Sequence, residues 1–188
     1  ELEDKGGVTG ERYTRPVICN FTFIGPGANA VQFHGAGIHF GQNSRMVLAN
    51  SIIVNARGNA VEFNTEFPAK ELKEGRSAFM NNLVFGNAAS YGMKDVTAGV
   101  FADVAALGTF MGQSNNTVLA NLDAAGFNST ALGSPNLMLK AGSPALGKAS
   151  FTSADLATGF TKETFLGAMG TTDWTAGWAN WDPNSNAY

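Results

Sequence analysis

The side chains best suited by type and spacing to acid–base chemistry are two carboxylates, Glu62 and Glu66, and the imidazole of His39. Glu62 occupies a polar position of a predicted strand, Glu66 follows four residues later, and His39 falls on a neighbouring turn. Two close carboxylates can act as general acid and general base on a glycosidic bond, or can share a Ca²⁺ ion. A paired Asp-Asp motif is absent, so we predict no catalytic residues and no cofactor, and retain these three as candidate ligand-binding residues with Ca²⁺ as the one ion to consider.

Three tryptophans near the end of the chain form the other candidate site. Trp174, Trp178 and Trp181 are spaced i, i+4 and i+7, which places them on one face if the stretch is helical. Their rings could stack on the apolar faces of sugars. Alternatively, they could cover the last turn of a repetitive β fold, where exposed strand edges invite association. The cap is the favoured interpretation, and the sugar platform stays open beside it.

Other reactive patterns are missing from the sequence. Cys19 is the only cysteine, which excludes an internal disulfide and a multi-cysteine metal site. His34 and His39 lack the further ligands of a usual zinc set, and no serine stands in a Gly-x-Ser-x-Gly elbow. We therefore expect Cys19 to be a small packing residue and the protein to be non-catalytic.

Composition narrows the choice of partners. The 188 residues carry a net charge of -3 with no basic cluster, which argues against nucleic-acid binding. No apolar run approaches the roughly 20 residues of a membrane span. Charged residues are 14% and hydrophobic residues 44% of the chain, and the 23 glycines suit short strands and many turns. The elements that position the candidate residues should therefore be strands.

An internal repeat organises those strands. The tetrapeptide Val-Leu-Ala-Asn occurs at residues 47–50 and 118–121, and related stretches end at two further asparagines. The predicted column of equivalent asparagines is Asn20, Asn50, Asn82 and Asn121. A period of 30 to 32 residues holding two or three short strands is typical of a β-solenoid, with the asparagine amides stacked as an internal ladder.

A second set of strands recurs in phase. Residues 29–33 and 59–63 share an Asn-Ala-Val-polar-Phe pattern, and residues 37–40 form a possible third strand. This alignment predicts apolar columns Phe23/Ile53/Phe85 and Val31/Val61, with an outward polar column of Gln32, Glu62 and Lys94. Between the third and fourth repeats, Val96, Val100, Val104 and Leu107 fall on one helical face. They predict a lateral helix at residues 94–108, capped by Asp95 or Thr97 and ended by Gly108.

Parts of the chain resemble a known family. The segment Ala-Gly-Ser-Pro-Ala at 141–145 resembles the closing segment of bacterial parallel β-helix proteins of the pectin-lyase-like superfamily. The ending GAMGTTDWTAGWANWDP, and NFTFIGPG followed by GAGIHFGQNSRMVLANSIIVN, are similar to large secreted β-helix proteins of Gram-negative bacteria, notably Bacteroidota. Many of those are described as surface lipoproteins. The resemblance covers residues 15–188, implies the architecture, and supplies no catalytic residues.

Together these patterns predict an all-β fold, a right-handed parallel β-helix with one lateral α-helix and a C-terminal cap. The predicted divisions of a single domain are an entering loop (1–14), coils (15–92 and 117–125), the helix (94–108) and a closing segment with the cap (126–188). The chain is expected to be the C-terminal part of a longer protein. We expect a non-catalytic structural or adhesion-type protein, outside the cell or on a bacterial surface. Carbohydrate binding or degradation is the alternative.

The expected partners follow from the same reasoning. An open coil at the start of the chain could stack on another copy, so self-assembly is one expectation. Surface glycans are the other. Nucleic acid and a membrane span are not expected.

Overall fold

The computed structural model describes residues 13–31, 35–94 and 99–185, and most of its described strands belong to three parallel sheets. The strands of the first sheet are, in spatial order, β1 (Val17–Cys19), β4 (Val47–Ala49) and β7 (Ala78–Met80). The second sheet consists of β2 (Thr22–Ile24), β5 (Ile52–Ala56), β8 (Leu83–Gly86) and β10 (Thr117–Val118). The third sheet consists of β3 (Ile38–Phe40), β6 (Asn59–Phe63) and β9 (Ala89–Met93).

The chain visits these sheets in a fixed order. It gives one strand to each sheet in turn, returns to the first, and so builds three repeats: β1–β3, β4–β6 and β7–β9. Val17 pairs with Val47, and Val47 pairs with Ala78, so successive repeats are offset by 30 and 31 residues. The prediction of a predominantly β chain with parallel strands is confirmed. Within the described ranges, no helix is long and apolar enough to cross a membrane.

An apolar core lies between the three sheets. Ile53 and Val84 of the second sheet point into it, and the rings of Phe40 and Phe63 stack there with centroids 4.6 Å apart. All four side chains are fully buried. Stacking of similar residue types across neighbouring parallel strands buries apolar area and adds aromatic pairing energy.

The predicted asparagine column was wrong in two of its four members. Ala49 pairs with Met80, so the residue stacked on Asn50 is Asn81 rather than Asn82. Asn20, Asn50 and Asn81 share a left-handed backbone, with φ of 53°, 52° and 57°, and Asn115 (φ 59°) continues the series. Val118 pairs with Val84, in the second sheet. The two Val-Leu-Ala-Asn copies are therefore not structural equivalents.

At two of the corners the next residue is a second asparagine, and Asn82 and Asn116 form an internal column. Asn82 is fully buried, and its Oδ1 accepts from the Ser51 backbone N–H at 2.8 Å. Asn116 Oδ1 accepts in the same way from the Asn82 N–H at 3.0 Å. The ladder thus has two rows, an outward row of left-handed asparagines and an inward row that satisfies backbone donors at the sheet junction.

The third sheet also departs from the predicted alignment. The partner of β6 is β3, because Ile38 pairs with Val61 and His39 with Glu62. Residues 29–31 form a turn and a bend instead of a strand, and Val31 is 68% exposed. Gln32 lies outside the described residues. The predicted column Phe23/Ile53/Phe85 is wrong in its third member, since Ile53 pairs with Val84.

Two α-helices flank the sheets, where one was predicted. α1 (Glu66–Lys73) was missed; it places Pro68 in the first turn, where the missing N–H costs nothing. α2 (Val104–Gln113) begins ten residues later than predicted and continues through Gly108. Its N-cap is Asp103, whose carboxylate accepts from the Ala106 N–H at 2.8 Å. The predicted caps Asp95 and Thr97 lie outside the described residues.

The C-terminal part of the chain packs against the outer face of the second sheet. After an antiparallel hairpin of β11 (Phe127–Ser129) and β12 (Asn136–Leu139), it runs as irregular chain with few regular hydrogen bonds of its own. Leu139, Ala145 and Leu166 bury themselves against outward side chains of β5 and β8. From here on, the name closing segment refers to residues 143–170 alone. It covers the side of the stack, so the predicted cap over the last repeat is corrected to a lateral cover.

Candidate functional site

The three predicted tryptophans meet in a surface groove of about 480 Å³, here called the tryptophan groove. The cavity is defined by Trp174, Trp178 and Trp181 together with Thr22, Leu137, Ala168, Met169, Thr175, Ala179 and Asn180. Thr22 belongs to β2, in the first repeat. The tryptophans therefore lie beside the first repeat and do not cover the last one.

The indole rings are exposed, while two of their N–H groups are already paired. Trp174, Trp178 and Trp181 are 55%, 68% and 45% exposed. Trp174 Nε1 donates to the Ala168 carbonyl, and Trp178 Nε1 donates to the Trp174 carbonyl, both at 2.7 Å. The Trp174 and Trp178 rings lie 5.5 Å apart at an interplanar angle of 30°. What these two residues offer a ligand is ring surface, fixed in orientation by the N–H bonds.

Local hydrogen bonds shape the chain around the tryptophans. Residues 174–178 form consecutive turns, so the helix on which the shared face was conditional is not present. The Asp173 carboxylate accepts from the Thr175 N–H at 2.8 Å and from the Thr175 hydroxyl at 2.5 Å. The Thr175 hydroxyl bond is the main reason that the pKa of Asp173 is lowered. The turn thus brings Trp174 and Trp178 together on one side without a regular helix.

The groove is anchored to the parallel sheets through the closing segment. The Ala168 N–H donates to Thr22 Oγ1 at 2.8 Å. The N–H of the preceding residue, Gly167, donates to the Asn50 carbonyl. The Ala168 carbonyl holds Trp174. The tryptophan wall is therefore joined through one segment both to the asparagine corner and to β2.

A second cluster surrounds the predicted candidate Glu62, which is buried with 6% of its surface exposed. Asn59 Nδ2 donates to Glu62 Oε2 at 2.8 Å. The Asn59 side chain lies over Gly92, where any Cβ would clash with it. Lys94 Nζ lies 3.1 Å from Oε1, although the contact lacks hydrogen-bond geometry. His39 Nε2 lies 3.7 Å from the same oxygen. Glu62 thus forms an ion pair with an exposed lysine on the outer face of the third sheet.

The orientation of His39 follows from its other neighbour. Asn64 Nδ2 lies 3.2 Å from His39 Nδ1, and an amide nitrogen can only donate. This contact at Nδ1 turns the Nε2 side of the ring towards Glu62. Glu66 begins α1 and is exposed, and no described contact joins it to Glu62. The expected carboxylate pair is thus one buried and one exposed residue in different settings.

The predicted outward column is replaced by the pairing His39, Glu62 and Gly92. Among the residues that the structure describes, no group of three or more His, Cys, Asp or Glu side chains could hold a metal ion. Glu62 is buried and Glu66 is exposed, and no described contact brings their carboxylates together.

Sequence reasoning missed an ion network on α1. Glu71 is 2% exposed, and its carboxylate pairs with Arg76, through two bonds of 2.6 Å, and with Arg45. The pKa of Glu71 is lowered mainly by the Arg76 bond. The Arg45 guanidinium also lies 3.5 Å from the Tyr13 ring centroid. These contacts join α1 to the start of the described chain and are structural, since both carboxylate oxygens are occupied.

The groove residues outside the tryptophans were missed as well. Thr22, Leu137 and Asn180 come from three distant parts of the sequence. None stands in a motif that would single it out, so only the folded chain could identify them.

Comparisons with protein-family models, with curated proteins and with solved structures gave no match. The parallel strands in stacked sheets are compatible with a β-helix-like fold, and no family is assigned.

Proposed function

We propose that this chain is a right-handed parallel β-helix protein of the adhesion type, which binds carbohydrate non-catalytically in the tryptophan groove. The β-helix assignment is supported by the fixed visiting order of the three parallel sheets and by the 30- and 31-residue offsets. Right-handedness is supported by the strong general preference for right-handed crossovers between parallel strands.

The observation that carries the binding proposal is the state of the tryptophans. Three large rings are about half exposed or more around one concave surface, although burying such a side chain would normally be favourable. Two of the three indole N–H groups are bonded to backbone carbonyls, so those rings are held in place without a ligand. Apolar ring faces beside hydroxyl and amide groups match the mixed surface of a sugar.

Non-catalytic binding is favoured over polysaccharide degradation by the setting of Glu62. Its carboxylate is largely buried, is paired with Lys94, and stands on the third sheet, whereas the groove follows the second. A general acid or base must reach the reacting bond at hydrogen-bond distance. Location outside the cell or on a bacterial surface belongs to the same proposal, because a protein that binds surface glycans works there.

The test is a glycan array followed by calorimetry on the best ligand, with Trp178→Ala as the variant. Loss of one stacked ring should weaken binding by about tenfold or more, since burying a large apolar side chain contributes about 1.5–3 kcal/mol. Val118→Ala is the matched control, because Val118 is an exposed apolar residue, 56% exposed, on β10 and outside the groove.

Three results would contradict the proposal. The first is an array with no ligand, and the second is equal affinity in wild type and Trp178→Ala. The third is cleavage of a bound polysaccharide that is lost in Glu62→Gln, which would make the protein an enzyme and replace the non-catalytic assignment.

A further inference from the structure

The tryptophan groove continues into a second cavity. This cavity, of about 410 Å³, lies between the end of β2 and the hairpin loop that joins β11 to β12. Its walls include Ile24, Pro26, Leu132 and Pro135. Leu137 and Trp181 line both cavities, so the two are adjacent parts of one cleft with Trp181 at the junction.

We infer that this extended cleft binds a linear, uncharged oligosaccharide of several sugar units, with one part of the chain on Trp178 and another part beside Leu132. The inference rests on the proposed carbohydrate function and adds the class of ligand.

The length of the ligand follows from the two cavities. Each has a volume within the usual range for a small-molecule site of about 300–1,000 Å³. A single sugar that stacks on Trp178 leaves the second cavity to water. Leu132 is 98% exposed, so its side chain has no packing role that would explain an apolar residue at the loop tip. A ligand that crosses Trp181 would contact both ends and bury that leucine.

The lack of charge follows from the lining. The described residues that line the two cavities include no Lys, Arg, His, Asp or Glu. Their polar groups are neutral: Thr22, Thr175 and Asn180 in the first cavity, and Asn55 and Thr130 in the second. Sugars carrying carboxylate or sulfate groups are normally held by arginine or lysine. Hydroxyl-bearing neutral sugars need only the donors and acceptors that are present.

The loop that forms the far wall lies beside the tryptophan segment and is braced by its own hydrogen bonds. Gly133 has a left-handed backbone, with φ of 79°, and a Cβ there would lie 3.8 Å from Asp182 side-chain atoms. The Ala131 N–H donates to Ser129 Oγ at 3.2 Å, and the Ser134 N–H donates to the Ala131 carbonyl at 3.4 Å. Leu132 is therefore presented on a hydrogen-bonded turn, so the second cavity exists before a ligand arrives.

The experiment measures affinity against ligand length. Linear gluco-, xylo- and manno-oligosaccharides of one, two, four and six units are titrated by calorimetry into the wild type. For the sugar type that binds, affinity should rise at least tenfold between two and six units. Oligogalacturonates of the same lengths supply the charged comparison and should bind more weakly.

Two variants separate the ends of the cleft. Trp178→Ala should weaken both the disaccharide and the hexasaccharide. Leu132→Ser should weaken the hexasaccharide about threefold or more and leave the disaccharide unchanged. Leu132 is almost fully exposed, so this substitution leaves the fold intact, which a circular dichroism melt checks.

The outcomes distinguish this inference from the proposed function. Equal affinity for two and six units, no selective effect of Leu132→Ser, or tighter binding of the charged oligomers would overturn the extended neutral cleft and leave carbohydrate binding in place. Absence of binding to every sugar would overturn both. Occupation of the cleft by an extended peptide in place of any sugar would do the same.

Discussion

At the scale of single residues, asparagine has two different roles at the corners between the first and second sheets. The outward residue, such as Asn50, takes a left-handed backbone, which asparagine tolerates better than most residues. The inward residue, such as Asn82, uses its amide to pair backbone groups that the change of sheet leaves without a strand partner. The two asparagines at 81–82 therefore have different roles: Asn81 forms the left-handed turn, and Asn82 pairs with backbone groups.

The substitution Asn50→Leu tests the outward row. Asn50 is fully buried, and its Oδ1 accepts from Asn81 Nδ2 at 2.6 Å and from the Ser150 N–H at 3.0 Å. Leucine would lose these bonds and would also strain the left-handed backbone. We expect the free energy of unfolding, measured with urea, to fall by about 3 kcal/mol.

The matched control is the same substitution in the second Val-Leu-Ala-Asn copy. Asn121 is exposed, and its Oδ1 accepts from the Ala124 N–H at 2.9 Å, its one hydrogen bond among the described residues, so Asn121→Leu should cost about 1 kcal/mol or less. Equal losses in the two variants would show that the outward row makes no special contribution to stability.

At the scale of elements, the helices show how far local signals reach. The prediction of a helix between the third sheet and β10 found α2 but placed it too early, because valines at i, i+4 and i+8 extend the pattern upstream of the true cap at Asp103. α1 escaped prediction because it is short, and a proline stands within it. Its ion network decides its place, since Glu71 joins Arg76, five residues on, to Arg45 on a different segment.

This network makes an acid-dependent prediction for α1. The pKa of Glu71 is lowered from its ordinary value of 4.5 in the folded state, chiefly by Arg76. The carboxylate therefore stabilises the fold fully above pH 4.5, and that stabilisation is lost as the pH falls through the lowered value. Urea unfolding at pH 7, 5, 4 and 3 should show a steep loss of stability in the wild type.

Glu71→Gln should be less stable than the wild type at pH 7 and should lose less stability on acidification, because the titrating group is gone. Glu66→Gln, an exposed change on the same helix, should keep most of the wild-type slope. A Glu71→Gln curve parallel to that of the wild type would contradict a role for this ion network in acid stability.

At the scale of the whole molecule, the closing segment packs against the stacked sheets and positions one wall of the cleft. The outward asparagines hold it: Asn20 Nδ2 donates to the Phe165 carbonyl at 2.7 Å, and Asn81 Nδ2 donates to the Lys148 carbonyl at 2.7 Å. Leu166 then fills the outer face of the second sheet. The same segment carries Ala168, which orients Trp174. Stability and the candidate site therefore depend on one stretch of irregular chain.

Gly167→Ala tests that docking. Gly167 has φ of 84°, and an added Cβ would lie 2.7 Å from Thr22 Oγ1 and 2.8 Å from Ile52 Cδ1. The closing segment would have to move away from β2 and β5, so we expect a loss of about 3 kcal/mol on urea unfolding. Sugar binding should weaken in parallel.

Gly159→Ala is the control for backbone strain alone. Gly159 has nearly the same φ, 83°, but nothing lies within 4 Å of its added Cβ. It should cost about 1 kcal/mol, the strain of a left-handed backbone. If the two alanine variants lose equal stability, close packing at Gly167 has no part in the effect.

The sequence by itself determined the class of elements and their rhythm. Short β-branched and aromatic stretches, spaced by about 30 residues and ended by asparagine, were enough to predict parallel strands, because strand propensity is local and the repeat period can be counted along the sequence. The i, i+4, i+7 spacing of the three tryptophans also singled them out as a candidate site.

Only the tertiary structure decided register, and with it the site. At Asn81 and Asn82, two adjacent asparagines offer two alignments that differ by one residue, and the contact between β4 and β7 selects one of them. The path of the closing segment was equally hidden, since its bonds join residues more than 100 positions apart, such as Asn20 with Phe165. Contacts of that range leave no local periodicity. The tryptophans could therefore be interpreted as a cap or as a platform until the folded chain placed them beside β2.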